Sequence, residues 1–365
     1  MKKGYFVTTP NPDEIHVRTG LLNSLFVIED DKKTGKIPYI ISLFNGQNTI
    51  EEILNLVGEE MKEDVLQLIE VLNQQGMLID GDIFKDLGKL SSYEKKLYEP
   101  ILSFFSLLSR SSELENHKNS LVKTIFGKLK KTKVMMIGSR MIGFQIAIQL
   151  AQLGVGKLSI ADNDKVSESD IPFITFLESE EFGLLRSEVA VSRIKKINSN
   201  LQTSTIDENE ITKFVGNYDI VIVAKDRLTP HLYEIINKEV IRHENIWTKA
   251  TMDGIIGIVG PTVVPHETAC YNCYELQLKS NLKTYNHYLQ DKVYIGSHPE
   301  LYSETIGLPS YANIIAGFLV SDIPYILLES GNTFGRELTI NFPIMKIEEK
   351  AILKLPRCPV CQRKR

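Results

Sequence analysis

The chain has 365 residues, of which 43% are hydrophobic and 24% charged, a composition typical of a folded protein with two or three globular domains. Its formal net charge of −4 offers no surplus of Lys and Arg to neutralise phosphate, so we do not expect a nucleic-acid partner. The N-terminus lacks the apolar run of a signal peptide, and no later stretch reaches the ~18 apolar residues of a membrane span, so we expect a cytoplasmic protein without membrane contact.

Residues 1–85 predict a small α+β domain of the winged-helix type. Two extended apolar runs, residues 15–20 and 24–30, suit a β-hairpin. A first helical pattern, residues 37–46, ends at Gly46 as its C-cap. A second, residues 49–60, can be N-capped by Asn48 or Thr49, with Glu51 or Glu52 completing a capping box.

A third helix is indicated by apolar residues at the i, i+3, i+4 and i+7 spacing of one buried helical face. These residues are Val65, Leu68, Ile69 and Leu72. A strand at residues 76–80 closes the domain. Many winged-helix domains bind DNA, but residues 1–85 hold 8 Lys or Arg against 14 Asp or Glu, and the third helix has no cation. This charge balance weighs against a DNA-binding regulator.

Residues 86–130 predict a linking pair of amphipathic helices, and residues 131–365 an α/β domain of Rossmann type. A buried-strand run at 133–138, a helix at 141–154 and a second strand at 157–164 form a β-α-β unit. A further strand at 218–226 and a turn-rich stretch at 254–265 extend the sheet toward the first cysteine pair. We expect the polar, aromatic segment 277–310 to be a crossover loop near the site.

The turn after the first of these strands has the pattern of a phosphate-binding G-x-G-x-x-G turn with one exception. Gly138 and Gly143 occupy the first and third glycine positions, but the middle one is Arg140. A side chain there either blocks phosphate or places a guanidinium where phosphate would lie, and both alternatives stay open. Asp162, at the end of the second strand, stands where a ribose hydroxyl is bound in such folds.

The cysteines fall in two C-x-x-C pairs separated by 84 residues. In a cytosolic chain this pattern favours zinc over disulfides. A tetrahedral Cys₄ site of this kind is structural and leaves no open position for catalysis. The expected ligands are Cys270, Cys273, Cys358 and Cys361.

The order of motifs from residue 131 onward resembles the ThiF/MoeB family of ubiquitin-activating-like enzymes. The resemblance rests on the glycine turn, LGVGKLSIADNDKVSESDI (153–171), GLLRSEVAVSRIKKIN (183–198), DIVIVAKD (219–226) and the two cysteine pairs. Members of this family adenylate a carboxylate with MgATP and commonly form homodimers through the α/β domain. The resemblance implies the same fold here.

Carried over position by position, the resemblance implies that Asp162 binds ribose, that Asp226 binds magnesium and that Arg186 replaces a phosphate-contacting lysine. Phe173 stands in place of the family's arginine, and Arg140 in place of a glycine. Because those elements steer and neutralise triphosphate, we expect a weak or vestigial ATP site. With all four cysteines committed to metal, no thiol remains for a thioester.

The N-terminal unit resembles the PqqD-like peptide-recognition domains. In that family a leader peptide adds as a strand to the hairpin edge and packs against the third helix. The resemblance implies a groove formed by Leu25, Phe26, Val27 and Ile28 of the strand and by Val65, Leu68, Ile69 and Leu72 of the helix. The alternative, that these residues form a small core, stays open.

Together the two resemblances imply a non-catalytic subunit that binds the leader of a ribosomal precursor peptide. Its partner would be a YcaO-type cyclodehydratase, which forms azolines in bacteriocin-like products. The alternative is an ATP-dependent peptide-adenylating enzyme of the microcin or pantocin type. The altered phosphate elements favour the scaffold.

Overall fold

The computed structural model describes residues 5–11, 14–19, 25–31, 33–78, 90–108, 118–226, 229–298 and 306–362. The chain forms two compact units, residues 1–127 and 128–365.

The N-terminal unit contains a three-stranded antiparallel sheet in the order β1-β2-β3, with β1 at Phe6–Asn11, β2 at Glu14–Arg18 and β3 at Leu25–Glu29. Strand β2 alternates in burial, so that Ile15 and Val17 enter the core while their neighbours do not. The predicted hairpin is confirmed as the β2-β3 pair, whereas β1 was not predicted.

Three helices follow, α1 at Ile37–Leu43, α2 at Ile50–Val57 and α3 at Lys62–Gln74. Thr49 caps α2 in the expected capping box: Glu52 N donates to Thr49 Oγ1 at 3.1 Å, and Thr49 N donates to Glu52 Oε2 at 2.7 Å. Helix α1 ends earlier than predicted, at Leu43, and Gly46 lies in the turn beyond it.

Two predictions around the linker have different outcomes. Of the strand predicted at 76–80, residues 76–78 are not in a strand, and 79–80 lie outside the described residues. The expected helix pair is present as α4, Ser92–Leu108, and α5, Lys118–Lys131. Tyr98 of α4 packs edge-on against Phe126 of α5, with ring centroids 5.2 Å apart.

The second unit is built on an eight-stranded sheet in the order β11-β10-β9-β8-β7-β4-β5-β6. The five strands from β8 to β6 in this order are parallel, and β9, β10 and β11 are antiparallel additions. The strands are β4 Lys133–Ile137, β5 Lys157–Ala161, β6 Gln202–Ile206, β7 Ile220–Val223, β8 Ile246–Asp253, β9 Ile256–Val259, β10 Arg336–Asn341 and β11 Lys346–Ala351. The predicted α/β, Rossmann-like fold is confirmed.

Central strands β4 and β7 are apolar along nearly their whole length because helices cover both faces of a parallel sheet. The helices of this unit are α6 Met141–Leu153, α7 Arg186–Ile197, α8 Ile211–Phe214, α9 Pro230–His243, α10 Tyr271–Asn281, α11 Tyr285–Ser297 and α12 Pro309–Leu327. Helix α11 corrects the expectation of a crossover loop at 277–310. It is anchored by Lys292, whose Nζ lies 3.0 Å from Glu275 Oε2.

Helix α12 is an exception to the expectation that no segment is long enough to span a bilayer. By length and apolar composition alone it could cross a bilayer, but half of its most apolar 18-residue stretch is buried inside the protein. It packs on α6 and β9. It also contains the buried Asp322, which accepts a hydrogen bond from Thr333 Oγ1 at 2.6 Å. These features are typical of a core helix.

Candidate functional site

The glycine turn lies between β4 and α6 at the carboxyl edge of the parallel strands. Gly138 has φ +94°, and a Cβ there would lie 2.4 Å from the carbonyl oxygen of Ala224. A Cβ at Gly143 would lie 2.2 Å from the carbonyl oxygen of Gly138. The first and third glycines are therefore required by backbone packing, whatever the turn binds.

Arg140, at the middle position, turns its guanidinium into the site. Its Nε donates to Asp170 Oδ1 at 2.7 Å, and its Nη2 donates to the carbonyl oxygen of Ser169 at 3.1 Å. The guanidinium lies over the ring of Phe173, 4.7 Å from its centroid. The sequence left open whether Arg140 blocks the turn or places its guanidinium where phosphate would lie. In the structure the guanidinium lies within the site and is bonded to groups of the protein itself.

The carboxylate of Asp170 is shared by two arginines. Arg186 Nε donates to Asp170 Oδ2 at 3.0 Å, and Arg186 Nη1 lies 3.4 Å from Asp164 Oδ2. Asp170 is completely buried. Its Oδ2 also accepts a hydrogen bond from the backbone N of Ser167 at 3.0 Å. This side chain stands where an anionic ligand of both guanidinium groups would have to lie.

Asp162 binds the turn directly. Its Oδ2 accepts hydrogen bonds from Ser139 N at 2.7 Å and Ser139 Oγ at 3.0 Å. Lys225 Nζ lies 3.4 Å from Asp162 Oδ1 and 2.7 Å from Glu208 Oε2. Burial alone would lower the pKa of Lys225, but these carboxylates outweigh it and raise the pKa, so the lysine is charged. Sequence reasoning missed Lys225, although its position directly after a buried strand was an available signal.

Asp226 lies beneath the start of α6 and is buried. Its Oδ2 accepts a hydrogen bond from Met141 N at 2.8 Å, and its Oδ1 has no hydrogen-bond partner among the described residues. Burial raises the pKa of Asp226 to about 6. The site thus holds one carboxylate oxygen that is buried and unsatisfied, the kind of atom that a cation or a water would complete.

These side chains leave almost no space between them. The cavity enclosed by the turn, Asp162, Arg186 and Lys225 measures about 10 Å³. That is room for one water, whereas ligand sites are typically ~300 Å³ or more. A wider open depression of about 420 Å³ is lined by Asn163, Glu208 and Leu232. In this conformation the cations and carboxylates neutralise each other.

The four predicted metal ligands lie together, buried and unpaired by disulfides, with all sulfur atoms within 4.8 Å of one another. The Sγ–Sγ distances include 3.9 Å for Cys270–Cys273, 3.6 Å for Cys270–Cys358 and 3.7 Å for Cys273–Cys361. A tetrahedral metal with bonds of ~2.3 Å requires sulfurs about 3.8 Å apart. The geometry therefore fits a tetrahedral metal ion.

The electrostatics of this cluster also favour a cation. Burial raises the pKa of Cys361, whereas a hydrogen bond from Cys270 lowers the pKa of Cys273. Four thiols this close cannot all ionise without a compensating positive charge. Further donors already point at the sulfurs: Asn272 Nδ2 lies 3.2 Å from Cys358 Sγ.

The residues predicted to bind a peptide are divided between a core and a groove. Val65 and Leu72 are completely buried in the core of the N-terminal unit, and Ile69 packs against it. On β3, Phe26 and Ile28 pack on the same core, Leu25 is 47% exposed, and Val27 is half-buried.

A groove of about 260 Å³ runs between β3 and α3. Of the eight predicted residues, the structure brings Ile28 and Leu68 to it. Residues that the sequence reasoning did not name complete its lining, among them Glu29, Asp31, Asp64 and Val71.

Comparisons with known proteins agree with this geometry. The model of the ThiF family matches residues 118–360. The adenylyltransferase and sulfurtransferase UBA4 of Vanderwaltozyma polyspora is 28% identical over 151 residues, which cover 40% of this chain and 34% of that protein. The chain spans less than two thirds of the length of the curated relatives it matches.

Solved structures of two proteins are similar over all or nearly all of the chain. Crystal structures of E. coli MccB, one with MccA-N7isoAsn and another with ATP, cover 100% of this chain and 99% of their own. Their TM-scores are 0.69 and 0.68, at 18% and 19% identity. A crystal structure of PaaA has a TM-score of 0.69 at 18% identity and covers 97% of this chain and 100% of its own. These likenesses extend the common fold to the N-terminal unit.

Proposed function

The chain belongs to the ThiF family, and we propose that it is a scaffold that binds the leader of a ribosomal precursor peptide. In this proposal it presents the peptide to a YcaO-type cyclodehydratase for azoline formation. The partner enzyme consumes the ATP, and this chain raises the local concentration of substrate.

The filled nucleotide site carries the proposal. Asp170 neutralises Arg140 and Arg186, and the cavity beside them measures about 10 Å³. Triphosphate would have to displace a buried carboxylate from two guanidinium groups, which breaks charge-assisted hydrogen bonds. A protein that needs its own ATP site would bear this cost at every turnover, whereas a scaffold would not.

The N-terminal unit supplies the second support. Its groove lies at the C-terminal end of β3, which is an edge strand among the described residues, and β-augmentation by a peptide requires such an edge. MccB, which shares the fold over its whole length, has been crystallised with MccA. In this proposal the leader peptide is the corresponding ligand of this chain.

The test combines two measurements on the full chain. Leader binding is measured by fluorescence anisotropy with candidate leader peptides, and azoline formation is measured by the 18 Da mass loss per ring with the YcaO-type enzyme, with and without this chain. We expect leader binding and a strong dependence of ring formation on this chain. No leader binding, or full activity without the chain, would overturn the scaffold.

A second candidate, a peptide-adenylating enzyme, is favoured by one observation. The buried Oδ1 of Asp226 has no partner among the described residues and could accept a magnesium ion. When MgATP is bound, it would supply the leaving pyrophosphate, Asp162 would orient ribose, and Arg140, Arg186 and Lys225 would neutralise phosphate.

ATP–pyrophosphate exchange separates the two candidates. Exchange that requires the peptide and is lost in Asp226→Asn, but is retained in the exposed control Asp253→Asn, would establish adenylation and refute the scaffold. The scaffold predicts no exchange in any of the three proteins.

We further propose that the cysteine cluster holds one structural zinc ion and that the chain forms a homodimer through its α/β unit. Four thiolates leave zinc no open position, so its role is to tie residues 358–361 to helix α10.

The proposed homodimer is tested by light scattering coupled to gel filtration, which gives the molar mass of the protein in solution. A monomer at micromolar concentration would contradict the dimer.

A further inference from the structure

The groove between β3 and α3 is acidic. Four of its eleven described lining residues are Glu29, Asp30, Asp31 and Asp64, and none is Lys or Arg. Asp30 is buried and committed to the fold, since its Oδ2 accepts hydrogen bonds from Thr34 Oγ1 at 2.9 Å and Gly35 N at 2.8 Å. Glu29 and Asp31 are exposed, and they lie where the groove meets the depression on the outer side of the sheet.

A second observation also indicates a positively charged ligand. Glu29 stands directly opposite Glu14 in the register of β2 and β3. Like charges at directly opposed positions destabilise a sheet. Glu14 accepts a hydrogen bond from Asn11 Nδ2 at 2.7 Å, and Lys33 lines the outer depression together with Glu14, Glu29 and Asp31. Lys33 supplies one cation against these three carboxylates, so a second cation at the edge of β3 would further reduce their repulsion.

The groove can accept an extended chain. In the three-stranded sheet, β3 pairs with β2 and with no other strand in the described part of the chain, so its outer edge presents backbone donors and acceptors. The groove floor has apolar positions at Ile28, Leu68 and Val71, of which Val71 is 39% exposed. An added strand would place alternate side chains on this floor.

We propose that this groove selects a peptide strand with a Lys or Arg beside Glu29 and Asp31 and with apolar side chains over Ile28, Leu68 and Val71. The inference rests on the proposed function and adds the chemistry of the leader. All pairs in this sheet are antiparallel. A fourth strand that continues the pattern begins beside the C-terminal end of β3, so the cation precedes the apolar residues in the peptide.

The test is selection from a display library of random twelve-residue peptides, panned against three full-length proteins. They are the native chain, a groove variant with Glu29→Lys and Asp31→Lys, and a matched control with Glu60→Lys and Glu70→Lys, two exposed acids outside the groove. All three must show the same thermal unfolding before panning.

We expect the native chain and the control to enrich Lys or Arg on the N-terminal side of an apolar pair, and the groove variant to enrich Asp or Glu there. A peptide selected on the native chain should bind the groove variant roughly 2- to 30-fold more weakly, from two surface ion pairs, and the control equally well.

Enriched apolar peptides without a positioned cation would overturn the charge inference. If their binding is lost in Val71→Asp, peptide capture in the groove stands. No specific enrichment on the native chain would count against both the inference and the proposed function.

Discussion

The guanidinium of Arg140 lies over the ring of Phe173, 4.7 Å from its centroid. The family resemblance presents these residues as two separate departures, an arginine in place of a glycine and a phenylalanine in place of an arginine. In the structure they form one cation–π contact, and Asp170 holds the same guanidinium from the side. The site is thus rebuilt around internal charge pairing, and each departure accommodates the other.

Phe173→Ala should lower the free energy of unfolding by about 3 kcal/mol, because it removes a buried ring and the contact with Arg140. The matched control is Phe176→Ala, three residues away, where the ring is 85% exposed. Urea denaturation of both variants measures the difference. Equal losses would show that Phe173 is not part of a packed site.

Asp170→Asn should destabilise the protein by about 3–5 kcal/mol, because it removes the buried carboxylate that two buried guanidinium groups share. Glu168→Gln, an exposed residue of the same turn, should change stability by less than about 0.5 kcal/mol. The variant also removes the negative charge that neutralises Arg140 and Arg186. Pyrophosphate should therefore raise the melting temperature of Asp170→Asn but not that of the native chain; an equal shift in both would show that the native site already accepts anions.

The pKa of Asp226, raised by burial from 3.8 to about 6, gives the native protein a defined pH dependence in magnesium-free buffer. Below about pH 4 the carboxyl is protonated in both folded and unfolded states, so its burial costs little. Above about pH 6 it is ionised in both, and the folded state bears the full cost of the buried charge.

Relative to Asp226→Asn, the native protein should therefore lose about 2 kcal/mol of stability as the pH rises from 4.5 to 7.5. The control pair, native and Asp253→Asn, should show a constant difference because Asp253 is exposed. Urea titrations at several pH values measure both differences. A constant difference for Asp226→Asn would mean that its carboxylate is paired or solvated.

The parts of this fold that could be predicted are those with local signals. The strand-turn-helix of β4 and α6, the capping box at Thr49 and the cysteine pairs each lie within a few residues. Strands β1, β6, β8, β10 and β11 were not predicted. Strand β10 pairs with β9 and β6 pairs with β5 across long stretches of chain, which no local pattern reveals. Strands β1 and β11 belong to hairpins with β2 and β10, and the sequence analysis did not identify those hairpins. Helix α11 was missed because the residue that anchors it, Lys292, is charged, and a charged residue is normally expected at the surface. Its ion pairs with Glu234 and Glu275 allow it to be buried.

The same limit applies to the candidate site. Helical periodicity identified Val65 and Leu72 as one apolar face, and that face is the core. The groove lies on the adjacent face, where Asp64 and Val71 are not separable from ordinary surface residues by sequence. Asp170 bonds to Arg140, 30 residues earlier in the chain, and to Arg186, 16 residues later. No local sequence pattern reveals contacts between positions so far apart.

Removal of the proposed zinc should release the C-terminal segment from the α/β unit. Cys358→Ser combined with Cys361→Ser removes two of four ligands, and we expect the bound zinc to fall from one per chain to none, with a loss of several kcal/mol of stability. Asn272→Ala is the matched control, since it deletes only the donor to Cys358 Sγ. It should retain the metal but release it about 10- to 100-fold more readily to a competing chelator. Mass spectrometry under native conditions counts the ion, and a metal-free native chain of unchanged stability would contradict the proposal.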